Sequence, residues 1–246
     1  MDITFEEYIE RLSDPIFLLK GCNKFHEGEG LYYLDELAES VWQQFLKGGE
    51  KPSKYLILGA AEAILIQWNA PYLFKDKPEE LIEALKNDEF SKDLESAYES
   101  AEPLLGILYI LELGSPHFTD YLSIIEQVYD VFRKQKTIGM TGAAKALHFI
   151  HPRLFVPWDT SIRTEYHNKD PSHRKDHGIG DPECYSDFMK RCNDIAIKLL
   201  RKISWEELAK GHPDYRDGES RAIRTIPKML DECNWCWITS KERWDP

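Results

Sequence analysis

The chain has 246 residues, 42% of them apolar, and a formal net charge of −12. That length suits one large domain or two small ones and buries roughly 70–75% of the surface of an unfolded chain. The apolar content, with 14 Gly and 13 Pro spread without period, excludes a disordered, collagenous or low-complexity protein.

Helical periodicity dominates from the start. Thr4 and Glu7 fit a capping box, in which hydroxyl and carboxylate satisfy each other's backbone donors, and open a helix over 4–20. The Gly21–Gly30 segment reads as a loop. Leu31, Leu34, Leu37, Val41 and Phe45 follow three-and-four spacing and predict a helix over 31–47, stopped by Gly48 and Gly49. Residues 54–68 begin like a strand but run into an alanine-rich stretch that is better as one buried helix. Further helices are predicted over 78–87, 91–113 (stopped by Gly114), 117–136, 142–150 and 160–168. Pro182 after Asp181 opens 182–203, Ser204 with Glu207 caps a short helix over 204–210, and 220–232 closes the series. The fold class is all-α: residues 1–246 as a single two-lobed bundle, dividing at about 1–115 and 116–246, with a helix-hairpin-helix-like element near 126–150.

No apolar stretch approaches the ~20 residues of a bilayer-crossing helix, so no membrane partner is expected. The segment from Met1 to Glu7 has no basic region and no apolar core, so no secretory leader is expected, and five sparse cysteines point to a reducing cytoplasm. Charge is uneven. Residues 1–136 carry 13 Lys and Arg against 26 Asp and Glu; residues 137–246 carry 18 against 17. The window from Arg133 to Lys175 holds nine basic and three acidic residues. Screening limits reach to ~8–10 Å at physiological salt, so local potential decides whether a polyanion docks.

The stretch most informative about chemistry runs from Thr137 to Arg163. Gly139 and Gly142 allow a tight turn and close backbone approach, and a helix starts near Gly142 with Lys145 in its first turn. Phe155-Val156-Pro157-Trp158 is an extended link, and Asp159 stands at the N-cap of the next helix, which carries Arg163. Two helix N-termini, each with free N–H groups and partial positive charge, thus lie in one unit suited to phosphate. Asp159 also reads as a plain cap, Lys145 as a solvated surface residue and Trp158 as core.

Gly139-Met140-Thr141-Gly142-Ala143-Ala144-Lys145, followed by Val156-Pro157-Trp158-Asp159-Thr160-Ser161-Ile162-Arg163, resembles the helix-hairpin-helix DNA glycosylase superfamily. The resemblance covers residues 137–163 and implies an all-α, two-lobed fold with a cleft between the lobes. It implies that Asp159 is the carboxylate stabilising positive charge as a base leaves. It makes Lys145 the amine that forms a Schiff base in the bifunctional branch, and Gly139, Thr141 and Gly142 the hairpin that clamps DNA phosphates.

Within that unit Trp158 is also a base-stacking candidate and Arg163 a phosphate contact; outside it Arg221 and Arg224 are candidate phosphate contacts or partners of neighbouring carboxylates. Lys228 extends the last two into a basic row. His148 and His151, three apart near a helix end, read as structural or capping groups. His167, His173, His177 and Cys184 offer zinc-type ligands, but their spacing matches no familiar zinc module, and a solvated or substrate-ordering loop fits them better. Cys233 and Cys236 have redox spacing but follow a helix rather than open one, which suits burial beside Trp235 and Trp237. No cofactor and no metal are expected. The sequence therefore points to a DNA-binding, base-excising N-glycosylase-type protein. The alternatives are a non-catalytic all-α module that binds protein through its acidic N-terminal half, and a small-molecule enzyme.

Overall fold

A computed structural model describes residues 3–28, 54–170, 176–213 and 225–241. Among the described residues every regular element is helical. The helices are α1 (Phe5–Arg11), α2 (Pro15–Gly28), α3 (Lys54–Ile64), α4 (Ala70–Leu73), α5 (Pro78–Lys86), α6 (Glu89–Leu108), α7 (Leu122–Arg133), α8 (Gly139–Ile150), α9 (Thr160–Lys169), α10 (Pro182–Leu200), α11 (Trp205–Lys210) and α12 (Ile226–Asn234). The predicted helix over 31–47 lies outside the described residues.

Both capping boxes form, at Thr4 and Glu7 before α1 and at Ser204 and Glu207 before α11. The predicted 4–20 helix is broken in two. Asp14 Oδ1 accepts the N–H groups of Ile16 at 2.9 Å and Phe17 at 3.0 Å, and Pro15 restarts the chain as α2. α2 then continues through Gly21 to Gly28, where a loop is predicted. A mid-helix glycine costs about 0.5–1 kcal/mol, which burial of Phe17, Leu18, Cys22 and Phe25 offsets.

α3 runs on through a π-helical turn, Leu65–Asn69, into α4, so the predicted 54–68 helix forms with one extra residue in its turn. α6 ends at Leu108, five residues before the predicted stop, and the chain turns at Gly114 (φ +97°). The Gly114 N–H donates to Asn193 Oδ1 at 2.7 Å, and an added Cβ would stand 2.7 Å from Leu200. α8 begins at Gly139, whose φ of +62° admits a helix directly after the hairpin; Gly142 lies inside the helix rather than in the turn.

One contiguous core runs from Tyr8 to Ile238. α7 packs against α6, α8 and α10, α3 packs on α8, and α2 packs on α12. Chain-distant helices therefore meet, and the first and last described ones share a wall. At the centre Tyr129 stacks on Tyr185 with ring centroids 4.3 Å apart, and Trp158 meets Tyr185 edge-on at 4.9 Å.

The end of α8 carries a buried titratable group. His151 is 1% exposed, its Nε2 sits 3.2 Å from the Leu108 carbonyl, and its ring stacks on Tyr109. Burial, with smaller contributions from nearby Arg153 and His148, lowers its pKa from 6.5 to about 3. The folded chain thus holds His151 neutral over a range in which the unfolded chain protonates it. Stability contributed by the neutral form is complete above pH 6.5 and is lost as pH falls from there toward 3, by up to about 1.4 kcal/mol per pH unit. Urea midpoints followed from pH 7 to pH 4 are expected to fall less steeply in His151→Gln than in the native chain. Equal slopes would show that His151 does not carry the effect.

Candidate active site

On α8 the residues Thr141, Lys145, His148 and Phe149 recur at helical spacing and line one side of a cavity of about 430 Å³. Opposite them stand Pro157, Trp158, Asp159 and the first turn of α9, Thr160 to Ile162. Ile64 and Asn69, from α3 and the π turn after it, form one end. Phe25 of α2 forms part of the other, with Lys228 and Asp231 of α12 and with Trp235 and Thr239 of a second π-helical turn, Trp235–Thr239. Four charged side chains, Lys145, Asp159, Lys228 and Asp231, therefore face an aromatic-walled space.

The cavity walls are tied down from several directions. Asp159 caps α9, its Oδ1 accepting the Ile162 N–H at 2.8 Å, while Oδ2 accepts the Thr239 hydroxyl at 2.7 Å. Both carboxylate oxygens are thus oriented. Arg163 joins the two helices of the motif, donating to Thr141 Oγ1 at 2.9 Å and to Thr160 Oγ1 at 3.0 Å. Further along α9, the Tyr166 hydroxyl donates to Asn234 Oδ1 at 3.1 Å, and the same oxygen accepts from Tyr8 at 3.1 Å. At its C-terminal end buried Asp170 receives two bonds from Arg191, at 2.9 and 3.2 Å. His148 Nδ1 lies 2.8 Å from the Phe155 carbonyl, fixing the link between α8 and α9.

Because α8 starts at Gly139, Lys145 stands midway along it rather than in its first turn; it and Asp159, the N-cap of α9, line the same cavity. Gly142 is closed in: an added Cβ would stand 2.7 Å from Asn69 Nδ2 and 2.9 Å from Leu65, so this glycine admits the π turn of the neighbouring helix. Asn69 in turn donates to the Ile138 carbonyl at 2.8 Å, bracing the hairpin. Gly139 has more room, with Leu73 at 3.4 Å from a Cβ, and Thr141 is spent on Arg163. Trp158 borders the cavity but is fully buried among Tyr129, Tyr185 and Phe188, so as it stands the ring belongs to the aromatic core. Arg221, Arg224 and His173 lie outside the described residues.

Other candidates resolve simply. His177 pairs with Asp176 at 3.5 Å, and His167 Nδ1 lies 3.8 Å from Cys184 Sγ, so these three do not gather as a ligand set. Cys233 and Cys236 are buried and form no disulfide, and Cys233 donates to the Leu18 carbonyl at 3.2 Å. The basic window is largely matched by carboxylates. Arg133 and Lys134 hold Asp130, Lys136 holds Glu89 at 3.0 Å, Arg153 holds Glu112 at 2.9 Å and Lys169 holds Glu165 at 2.6 Å.

The residues that sequence reasoning missed are Asn69, Asp231 and Thr239. A signal existed for two of them: Lys228, Asp231, Trp235 and Thr239 recur at three-and-four spacing and mark one helical face. No protein-family model matches the chain, and comparison with curated proteins and with solved structures finds no match for it.

Proposed function

We propose that this protein removes a base from DNA by cleaving the N-glycosidic bond, and that the cavity receives the extruded base. The observation that carries the reading is the presence of Lys145 and Asp159 on one cavity of about 430 Å³ beside the first turn of α9. That volume falls in the ~300–1,000 Å³ range of small-molecule sites, and aromatic walls suit a flat heterocycle. Extruding a base costs a few kcal/mol, least at a damaged or mispaired position.

In the proposed reaction the bond between C1′ and the base nitrogen breaks, and its electron pair leaves with the base. Positive charge develops over C1′ and the ring oxygen, and the oriented Asp159 carboxylate faces it. Water then adds to C1′ and gives up a proton, and the departed base takes one up. In the bifunctional version the unprotonated amine of Lys145 displaces the base at C1′; the nitrogen loses a proton, the C1′–O4′ bond breaks and O4′ takes a proton, which leaves a Schiff base.

The test is borohydride trapping of the full chain on oligonucleotides carrying uracil, 8-oxoguanine or an abasic site. A covalent adduct that disappears in Lys145→Ala is expected for the bifunctional version, and base release without an adduct for the simple hydrolase. A panel of lesions yielding neither would reject the enzymatic reading.

A second reading, a non-catalytic binding module, draws on the pairing of Lys136 with Glu89 and of Arg153 with Glu112, which reduces the positive field offered to a phosphate backbone. Binding that weakens steeply between about 50 and 200 mM salt supports DNA as partner. Absent or salt-insensitive binding supports the module.

A further inference from the structure

Behind the cavity wall formed by α2 and α12 lies a cluster that neither the motif nor the proposed reaction uses. Cys22, His212 and Glu232 are all buried, and one ligand atom from each lies within 4.8 Å of the others. Glu232 is fully buried, an expensive place for a carboxylate. Its Oε2 lies 3.0 Å from His212 Nε2, and its Oε1 lies 3.4 Å from His26 Nε2 without receiving a well-formed hydrogen bond. His26 stands one turn after Cys22 on α2, and its ring meets His212 edge-on with centroids 5.2 Å apart.

From these positions we infer that Cys22, His26, His212 and Glu232 bind one zinc ion that pins α2 to α12 and to the segment after α11. The donor set is one thiolate, two imidazoles and one carboxylate, the chemistry zinc accepts in closed tetrahedral sites. With Zn–N and Zn–O near ~2.0 Å and Zn–S near ~2.3 Å, such a site spaces its ligand atoms ~3.3–3.8 Å apart. Cys22, His212 and Glu232 already lie within 4.8 Å of one another, and His26, which reaches Glu232 Oε1 at 3.4 Å, turns toward them to complete the set. Charge also balances. A dication with one thiolate, one carboxylate and two neutral imidazoles makes a neutral assembly, so no net charge is left in the core. Binding releases the Cys22 thiol proton to solvent. Because four ligands fill the coordination shell, the role is structural. It holds Phe25 on α2, and Lys228 and Asp231 on α12, at the cavity.

The full-length chain is stripped with chelator, titrated with zinc or cobalt(II), and measured for metal content, visible absorption and thermal midpoint. One metal per chain is expected, with cobalt(II) giving tetrahedral d–d bands and a thiolate charge-transfer band, and zinc raising the midpoint of the stripped protein. Cys22→Ser is expected to abolish the charge-transfer band, and His212→Gln to weaken zinc binding by more than the ~10–100-fold that loss of an outer partner costs. Cys233→Ser, which changes the neighbouring buried thiol, is expected to keep the band. Should Cys22→Ser fail to fold, the native chain and Cys233→Ser still decide the matter. A folded native chain that holds no zinc and shows no charge-transfer band, or a band lost in Cys233→Ser, would overturn the assignment.

Discussion

Asp159→Asn is expected to leave the protein folded and to reduce base release by at least ~10²-fold, the loss that follows removal of one fixed electrostatic partner of a developing charge. Asn is as good a helix cap as Asp, and its amide oxygen can still accept the Ile162 N–H. The amide NH₂ then meets Thr239, whose hydroxyl can turn from donor to acceptor. Only the negative charge is gone. Asp159→Ala adds a structural cost of about 1 kcal/mol from the lost cap. Single-turnover rates on a responsive lesion, with thermal midpoints alongside, separate the two effects. Unchanged turnover in a folded Asp159→Asn would leave this residue as a cap and nothing more.

Trp158→Ala is expected to be the most damaging single change to stability, at ~3–5 kcal/mol. The indole is fully buried against Tyr129, Tyr185 and Phe188, at the junction between α7, α10 and the link that delivers Asp159. Against a total stability of ~5–15 kcal/mol, that loss brings the chain close to unfolding at ordinary temperature. Trp158→Phe keeps a ring in the cluster and is expected to lose far less. Denaturant midpoints measure both. A Trp158→Ala variant with native stability but defective base release would instead make the ring a stacking surface.

What the sequence discloses about this molecule depends on how far apart the interacting residues lie. The Thr4 and Ser204 capping boxes, the start of α10 at Pro182 and the Asp159 cap are all decided within four residues, and they form as predicted. The juxtaposition of Lys145 with Asp159 needs only two short elements and one link, so it too was within reach. Thr239, which holds the second oxygen of Asp159, lies 80 residues away; its spacing marks a helical face, but no local pattern says that the face meets Asp159. The basic window misleads for the same reason: Lys136 and Arg153 find their carboxylates 47 and 41 residues upstream. A linear window is not a surface patch. Neither π turn has a sequence signature, yet one of them presents Asn69 to Gly142 and so converts a glycine expected to face phosphate into a packing position. The Cys22 cluster was equally hidden. Only Cys22 and His26 share a helical spacing, whereas His212 and Glu232 arrive from the far end of the chain.

The Asn234 side chain, receiving hydroxyl protons from Tyr8 and Tyr166, has a consequence for how the chain comes to be made. Tyr8 leaves the ribosome 226 residues ahead of this partner. Until then the part of α1 and α2 that packs on α12 stays uncovered, and such an exposed apolar surface invites chaperone binding or self-association. Closure of so distant a contact is entropically slow, so the packing of α1 and α2 on α12 is expected to be a late step of folding.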